Sequence, residues 1–357
     1  MQRFSWQLTI VAAIGSALGT AHGCDLCGCY TPQIEALPQF APEAVLGQPA
    51  SSGTASGILA HAYLAVAEQF THFGTLQFEG NEVPNPIDQY ENSSITQLVA
   101  GYSLSSRLAV QLDVPLIYRW YQRPAGFAIE RGTEAGLGDI SLLANFVLFQ
   151  VESARGRGVA FDDPKNPRLE IHEPDFTASA VLIGGVKFPS GDTSRLKEEF
   201  HEVEIPDAPE SAIHGHDLTL GTGSYDAIIG GRTSLRYRSF FLDAGMQFAL
   251  RGDGAHQYHF ANDLTWNGGP GYYLVRNPAM IVGLQFVASG EYKDVDRFRG
   301  KVAEDTGITS VFLGPRILVS VGKWSAEIGA ELPVSIDNTA LQIVPGYRLQ
   351  ANISFHF

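Results

Sequence analysis

The final segment of the chain constrains the fold more than any other. From Tyr347 to Phe357, the residues Tyr347, Leu349, Ala351, Ile353, Phe355 and Phe357 alternate with Arg348, Gln350, Asn352, Ser354 and His356. Side chains two apart on a pleated strand share a face, so this period gathers the apolar groups on one side and the polar groups on the other. A tilted strand of ~9–11 residues is long enough to cross a bilayer.

The same alternation recurs along the chain. Leu108, Val110, Leu112, Val114, Leu116, Tyr118 and Trp120 oppose Gln111, Asp113 and Arg119. Trp324, Ala326, Ile328, Ala330, Leu332, Val334 and Ile336 oppose Ser325, Glu327, Glu331 and Ser335. Leu242 to Leu250 and Tyr225 to Tyr237 behave alike, with Asp243, Gln247 and Arg251, then Asp226, Arg232, Ser234 and Arg236, on the second face. Strands are predicted near 57–70, 93–104, 107–120, 137–150, 175–188, 224–237, 240–251, 262–274, 279–292, 308–321, 323–336 and 345–357. The first is the weakest, because His61 and Glu68 blur its period.

Connections at Ser105-Ser106, Arg238-Ser239, 276–278 and Gly322 are very short, and they alternate with longer polar ones at 71–92, 121–136, 189–223, 252–261, 293–307 and 337–344. Only 151–174 breaks the rule, being long and charged on the short-turn side. Short turns on one side and long loops on the other are the habit of outer-membrane barrels. Tyr118, Trp120 and Tyr121 at one rim, and Tyr272, Tyr273, Trp324 and Phe357 at the other, read as interfacial girdles. A secreted β-sandwich shares the alternation. It leaves the graded loops unexplained, and the chain has no cysteine in its body to staple it in an oxidising compartment.

The predicted fold class is therefore all-β: a transmembrane antiparallel β-barrel of about twelve strands, following a cleaved signal peptide. Residues 1–23 read as that signal, with Arg3 before an apolar Leu8–Leu18 run and Ala21-His22-Gly23 before the cut. A lipoprotein cut before Cys24 is the competing reading. Residues 24–56 form a cysteine-motif leader or a plug segment, and 57–357 the barrel. Beyond the signal no apolar run approaches the ~18 residues of a membrane helix. A net charge of −14 excludes nucleic acid as a natural partner and favours cations. The partners predicted are the lipid bilayer, the outer-membrane assembly machinery and a small-molecule solute.

Strand parity places Asp113, Arg119, Asp226, Arg232, Asp243, Arg251, Glu327, Glu331 and Arg348 as lumen-lining residues. About eight strands fill a barrel and sixteen leave an aqueous channel, so about twelve predict a narrow polar passage. Cys24, Cys27 and Cys29 are the chain's only cysteines; their spacing fits Cu or another soft metal ion, and equally a disulfide or a lipidated thiol. Gly28 rules out haem attachment, which needs histidine there. His214 and His216 are a weaker metal candidate, able to chelate if the segment is extended and both project to one side, and His256 with His259 weaker still. Ser354 and His356 read as lumen polarity rather than a nucleophile and base, and no catalytic residue is assigned: the chain is not predicted to be an enzyme.

Three glycine-rich segments carry a family likeness. Gly136-Leu137-Gly138-Asp139-Ile140-Ser141-Leu142, Gly184-Gly185-Val186-Lys187-Phe188-Pro189-Ser190-Gly191-Asp192 and Gly221-Thr222-Gly223-Ser224-Tyr225-Asp226 resemble the spaced signatures of outer-membrane transporter-like barrels related to the meta-pathway of phenol degradation. The terminal Phe357 likewise resembles the signature by which barrel proteins are recognised for assembly. The resemblance implies movement of a small, apolar or aromatic compound across the outer membrane. The alternative reading is a metal-handling (copper-type) or redox-linked protein of the cell outer membrane that works through its N-terminal cysteines.

Overall fold

The computed structural model describes residues 61–153, 157–160, 168–171, 175–201, 205–277 and 279–357. The expected signal peptide, leader and cysteine cluster lie outside them. Twelve long strands follow in chain order: β1 Ala62–Phe78, β2 Tyr90–Ser103, β3 Leu108–Ala125, β4 Ser141–Glu152, β5 Phe176–Lys187, β6 Asp226–Tyr237, β7 Phe240–Leu250, β8 Asp263–Arg276, β9 Met280–Lys293, β10 Ile308–Val321, β11 Trp324–Asn338 and β12 Leu341–His356. Each pairs antiparallel with the next. β12 returns to β1, from Tyr63 opposite His356 to Phe78 opposite Leu341, and closes the ring. Closure leaves no edge with unpaired amides, which is what allows strands to sit in hydrocarbon.

The burial pattern settles which face meets what. Leu332, Ile328 and Ile229 are 62%, 60% and 57% exposed, while Asp113 and Arg119 are 0% exposed. A sandwich in water would reverse this order. Lipid therefore covers the apolar face, and no helix among the described residues is long and apolar enough to cross a membrane. Phe70, Tyr118, Trp120 and Tyr347 pack together at one rim, and Trp324, Phe355 and Phe357 at the other. Tyr121 and Tyr273 leave the girdles expected for them. Each lies one residue past a girdle position, so strand parity turns it inward, Tyr121 to 1% exposure and Tyr273 against Phe241. Glu68 breaks the apolar face of β1, and its carboxylate accepts hydrogen bonds from Ser94 (2.6 Å) and Thr96 (2.5 Å) on β2.

Tight turns join β2 to β3, β6 to β7, β8 to β9 and β10 to β11 on the same side as Ala62 and His356, the periplasmic side by the barrel rule. The long connection between β4 and β5 carries a small hairpin, Arg157–Ala160 with Arg168–Ile171. On the opposite, extracellular side the strands run further than alternation predicted. β1 reaches Phe78 rather than residue 70. β3 continues to Ala125 and pairs with an arm at Ala128–Leu137, where a loop was expected. The expected loop at 337–344 is a two-residue turn, Thr339-Ala340, held by Asn338, which donates to the Ala340 carbonyl (3.0 Å) and accepts from Gly80 N (3.1 Å). These stretches stand above the lipid, where water wets both faces and a two-residue period is no longer required.

Candidate functional site: a loop folded into the extracellular mouth

The described residues of the connection between β5 and β6, 188–201 and 205–225, turn back into the barrel mouth on a neck built of buried charge. Lys187 Nζ lies 3.0 Å from Asp139 Oδ2 and 2.9 Å from Asp226 Oδ2. Arg251 bridges Asp226 (2.8 Å) and Asp263 (2.6 Å), and the side chains of all five residues are 2% exposed or less where measured in these pairs. Asp139 also accepts from Gly191 N and Thr222 N, both 2.9 Å. Removing two charges from water is costly unless partners and hydrogen bonds surround them, and here both do. The two sides of the neck touch through backbone: a Cβ on Gly221 would stand 2.7 Å from Gly191 Cα and 2.6 Å from Asp139 Oδ1. The three glycine-rich segments thus meet at one place.

Above the neck the loop packs as a stopper. Leu196, Ile213 and Leu218 join Phe73, Leu76, Tyr121, Tyr258, Phe260, Ile308, Ile343 and Val344 in an apolar cluster. Leu220 seats against Ile95 and Ile117 on the wall. Arg119 donates to the carbonyls of Asp217 (2.6 Å) and Thr219 (2.7 Å) and lies 3.4 Å from Glu91. Arg195 reaches from the loop to Glu134 on the arm and to the Tyr121 hydroxyl (2.9 Å). The segments 251–262 and 294–307 lie alongside, joined as a small sheet of Tyr258–His259, Asp296–Phe298 and Lys301–Ala303.

Below the stopper the inward face carries paired polar groups among small apolar clusters such as Leu143, Ile183 and Ile228. Arg348 lies 3.2 Å from Glu291 and over the Phe312 ring at 4.2 Å. Glu331 accepts from Ser289 (2.6 Å), and Arg316 donates to Gln350 (2.7 Å). Arg232 and Asp243 act on each other, and Arg232 also feels Glu327. Asp113 accepts from Gln111 (2.8 Å). Asp113 Oδ2, Gln97 Oε1, Asn145 Oδ1 and Arg232 Nη1 are buried without a protein hydrogen-bond partner. Such atoms are costly unless water or solute meets them.

The nine residues assigned by parity therefore fall in different places. Asp226 and Arg251 belong to the neck, Arg119 holds the stopper, and Asp113, Arg232, Asp243, Glu327, Glu331 and Arg348 lie on the inward face below it. Lys187, Asp139 and Asp263 are parts of the same neck that parity did not single out.

His214 and His216 come together, though not on an extended segment. His214 precedes a short helical turn, Gly215–Leu218, and the two rings are 5.5 Å apart. His214 Nδ1 lies 2.6 Å from Asp305 Oδ2, and His216 Nδ1 lies 3.0 Å from Glu199 Oε1. Burial pushes the His216 imidazole down, but Asp217 and Glu199 outweigh it and hold its pKa well above the usual histidine range. Burial would raise Glu199 and Asp305, yet His216 and His214 respectively hold both carboxyls below the usual range. His256 and His259 join no such group: His259 pairs at 3.4 Å with exposed Asp253.

No family model matches the chain, and no curated protein sequence matches it. Solved structures do. An outer membrane channel from Pseudomonas putida F1 aligns with a TM-score of 0.54 at 13% identity, over 83% of this chain and 96% of that one. The fold is that of an outer-membrane barrel. The translocator domain of the autotransporter NalP from Neisseria meningitidis (TM-score 0.37, 10% identity, 88% and 93% covered) and a FadL homologue from Pseudomonas aeruginosa (0.33, 8%, 84% and 93%) align less well and carry no further argument. The chain resides in the cell outer membrane, with the bilayer as its partner.

Proposed function

We propose that the protein is a gated outer-membrane channel for a small solute. The observation that carries this reading is the division of the interior: an underside with buried polar atoms that need water or solute, and an extracellular mouth into which one loop packs on a fixed neck, against the segment that carries Tyr258 and Phe260. The neck hinges the loop without sacrificing the wall, because Lys187 and Asp226 end β5 and β6 while the stopper lies between them.

With the loop displaced, Phe73, Tyr121, Tyr258, Phe260 and Val344 would line the entrance. Such a lining suits a small apolar or aromatic compound, the class that the glycine-rich segments imply through their resemblance. The fold shared with a Pseudomonas putida outer membrane channel is in keeping with that reading. The polar inward face below would then pass the solute among paired charges, which repel neither sign strongly.

The test is conductance in a planar bilayer. Excising residues 194–218 and joining the cut with glycines removes the stopper and keeps Lys187, Asp139, Asp226 and Thr222. The reading predicts a several-fold rise in single-channel conductance over the intact protein. An excised, folded barrel that passes no more ions than the intact one would overturn it.

A further inference from the structure

We propose that the stopper carries a binding site for a borderline divalent transition-metal ion, for which Zn²⁺ is the probe, held by the imidazoles of His214 and His216 and the carboxylate of Asp217. One ligand atom from each of these residues lies within 4.8 Å of the others. A single ion of the zinc class accepts nitrogen and oxygen donors at about 2 Å, so three donors at this separation can converge on it with small side-chain rotations.

The surroundings match what a metal-binding imidazole needs behind it. A ligating histidine offers one ring nitrogen and gives the other to a carboxylate or carbonyl, which sets the tautomer and the ring's aim. His216 does this with Glu199 at Nδ1 (3.0 Å), and His214 does it with Asp305 at Nδ1 (2.6 Å). The decisive atom is His216 Nε2. The residue is 1% exposed, this nitrogen has no hydrogen-bond partner, and Asp217 Oδ1 lies 3.5 Å from it. The other Asp217 oxygen is fixed by His214 N (2.8 Å), which orients the carboxylate. The His216 ring is held in turn by stacking on Tyr258, 5.7 Å between centroids.

An ion also has a way in. His214, Glu199 and Asp305 line a cavity of about 1260 Å³ on the extracellular side, together with Glu198, Glu210 and Glu304. Carboxylates outnumber the cations Arg123 and Lys197 on its walls, so it concentrates divalent ions. Oxygen-only ions such as Mg²⁺ gain nothing from two imidazoles, which is why the site selects nitrogen-seeking metals. The proposal concerns binding alone and does not depend on the channel reading.

The test uses the full mature chain, refolded in detergent, with Cys24, Cys27 and Cys29 changed to serine so that thiols contribute nothing. Zn²⁺ is titrated by calorimetry, and the zinc absorption edge of the loaded protein is measured. Heat-modifiable migration on a gel confirms that each barrel is folded. One Zn²⁺ per chain is expected, with imidazole scattering in the absorption spectrum. His216→Ala and His214→Ala should each weaken it at least tenfold, and Glu199→Gln by about 10–100-fold as a positioning residue. His201→Ala, on the same cavity wall, should leave the affinity unchanged. A folded protein that binds no stoichiometric Zn²⁺, binds it through oxygen alone, or keeps its affinity when His214, His216 and Asp217 are all replaced would overturn the proposal. If the histidine variants fail to fold, the absorption spectrum of the unaltered loop decides.

Discussion

Lys187→Met is the sharpest probe of the neck. Lys187 Nζ lies 3.0 Å from Asp139 and 2.9 Å from Asp226, and 3.2 Å from the Thr222 hydroxyl, with 1% of its side chain exposed. Methionine fills similar volume but removes the charge. Asp226 keeps Arg251, whereas Asp139 keeps only hydrogen bonds from Gly191 and Thr222. Breaking a buried pair from one side costs ~3–5 kcal/mol. At ~1.4 kcal/mol per tenfold, that raises the weight of the undocked loop by about two to three and a half powers of ten at most, if the whole cost falls on the docked state. The assay is single-channel recording of open probability, beside a control in which the ion pair between Arg238 and Asp175 is cut by Arg238→Gln. Both partners of that pair are 65% exposed, and such pairs contribute at most ~1 kcal/mol. An open probability for Lys187→Met equal to that of the control would refute the claim that buried charge holds the neck.

Gly221→Ala should loosen the same neck, because its Cβ would press on Gly191 Cα at 2.7 Å, at a cost of ~1–3 kcal/mol. Gly184→Ala, with nothing within 4 Å of the new Cβ, should be neutral; urea unfolding in lipid vesicles compares the two. Ile328→Arg, placing a charge on a lipid-facing side chain 60% exposed and level with Ala351, midway between the Tyr347 and Phe355 rims, should cost ~2–4 kcal/mol in the same assay. If Zn²⁺ binds the docked loop, adding it on the extracellular side should lower open probability, and a chelator should restore it within one recording.

The fold was legible because lipid enforces a rule on every residue it touches. Along β12 and the membrane part of β3, each outward side chain had to be apolar, so period two survived almost intact. The rule lapses above the membrane, which hid the end of β1 and the arm at Ala128–Leu137. There Arg123 pairs with Glu130 across two wet strands at 2.9 Å, and polar residues occupy both faces. The turn at Thr339-Ala340 was hidden for a related reason: Asp337, Asn338 and Thr339 look like a loop, and only Asn338's bonds to Ala340 and Gly80 show that it caps a hairpin.

The site was legible only in pieces. Asp226 and Arg251 were visible as inward charges, but their union with Lys187, Asp139 and Asp263 is a long-range contact that no local pattern encodes. The available signal was glycine: Gly191 and Gly221 mark a close crossing of backbone, and each stands beside a charged member of the neck. The histidine pair meets by a geometry other than the extended segment expected: a helical turn brings His214 and His216 together.

The central claim is that the loop between β5 and β6 opens and shuts the barrel. It is tested most directly by changing Ile117 and Leu220, which pack together between wall and stopper, to cysteine in a chain whose own cysteines are serine. Once oxidation has formed the bond, conductance should fall to background, and a reducing agent should restore openings in the same membrane. A confirmed crosslink that leaves conductance untouched would contradict the account.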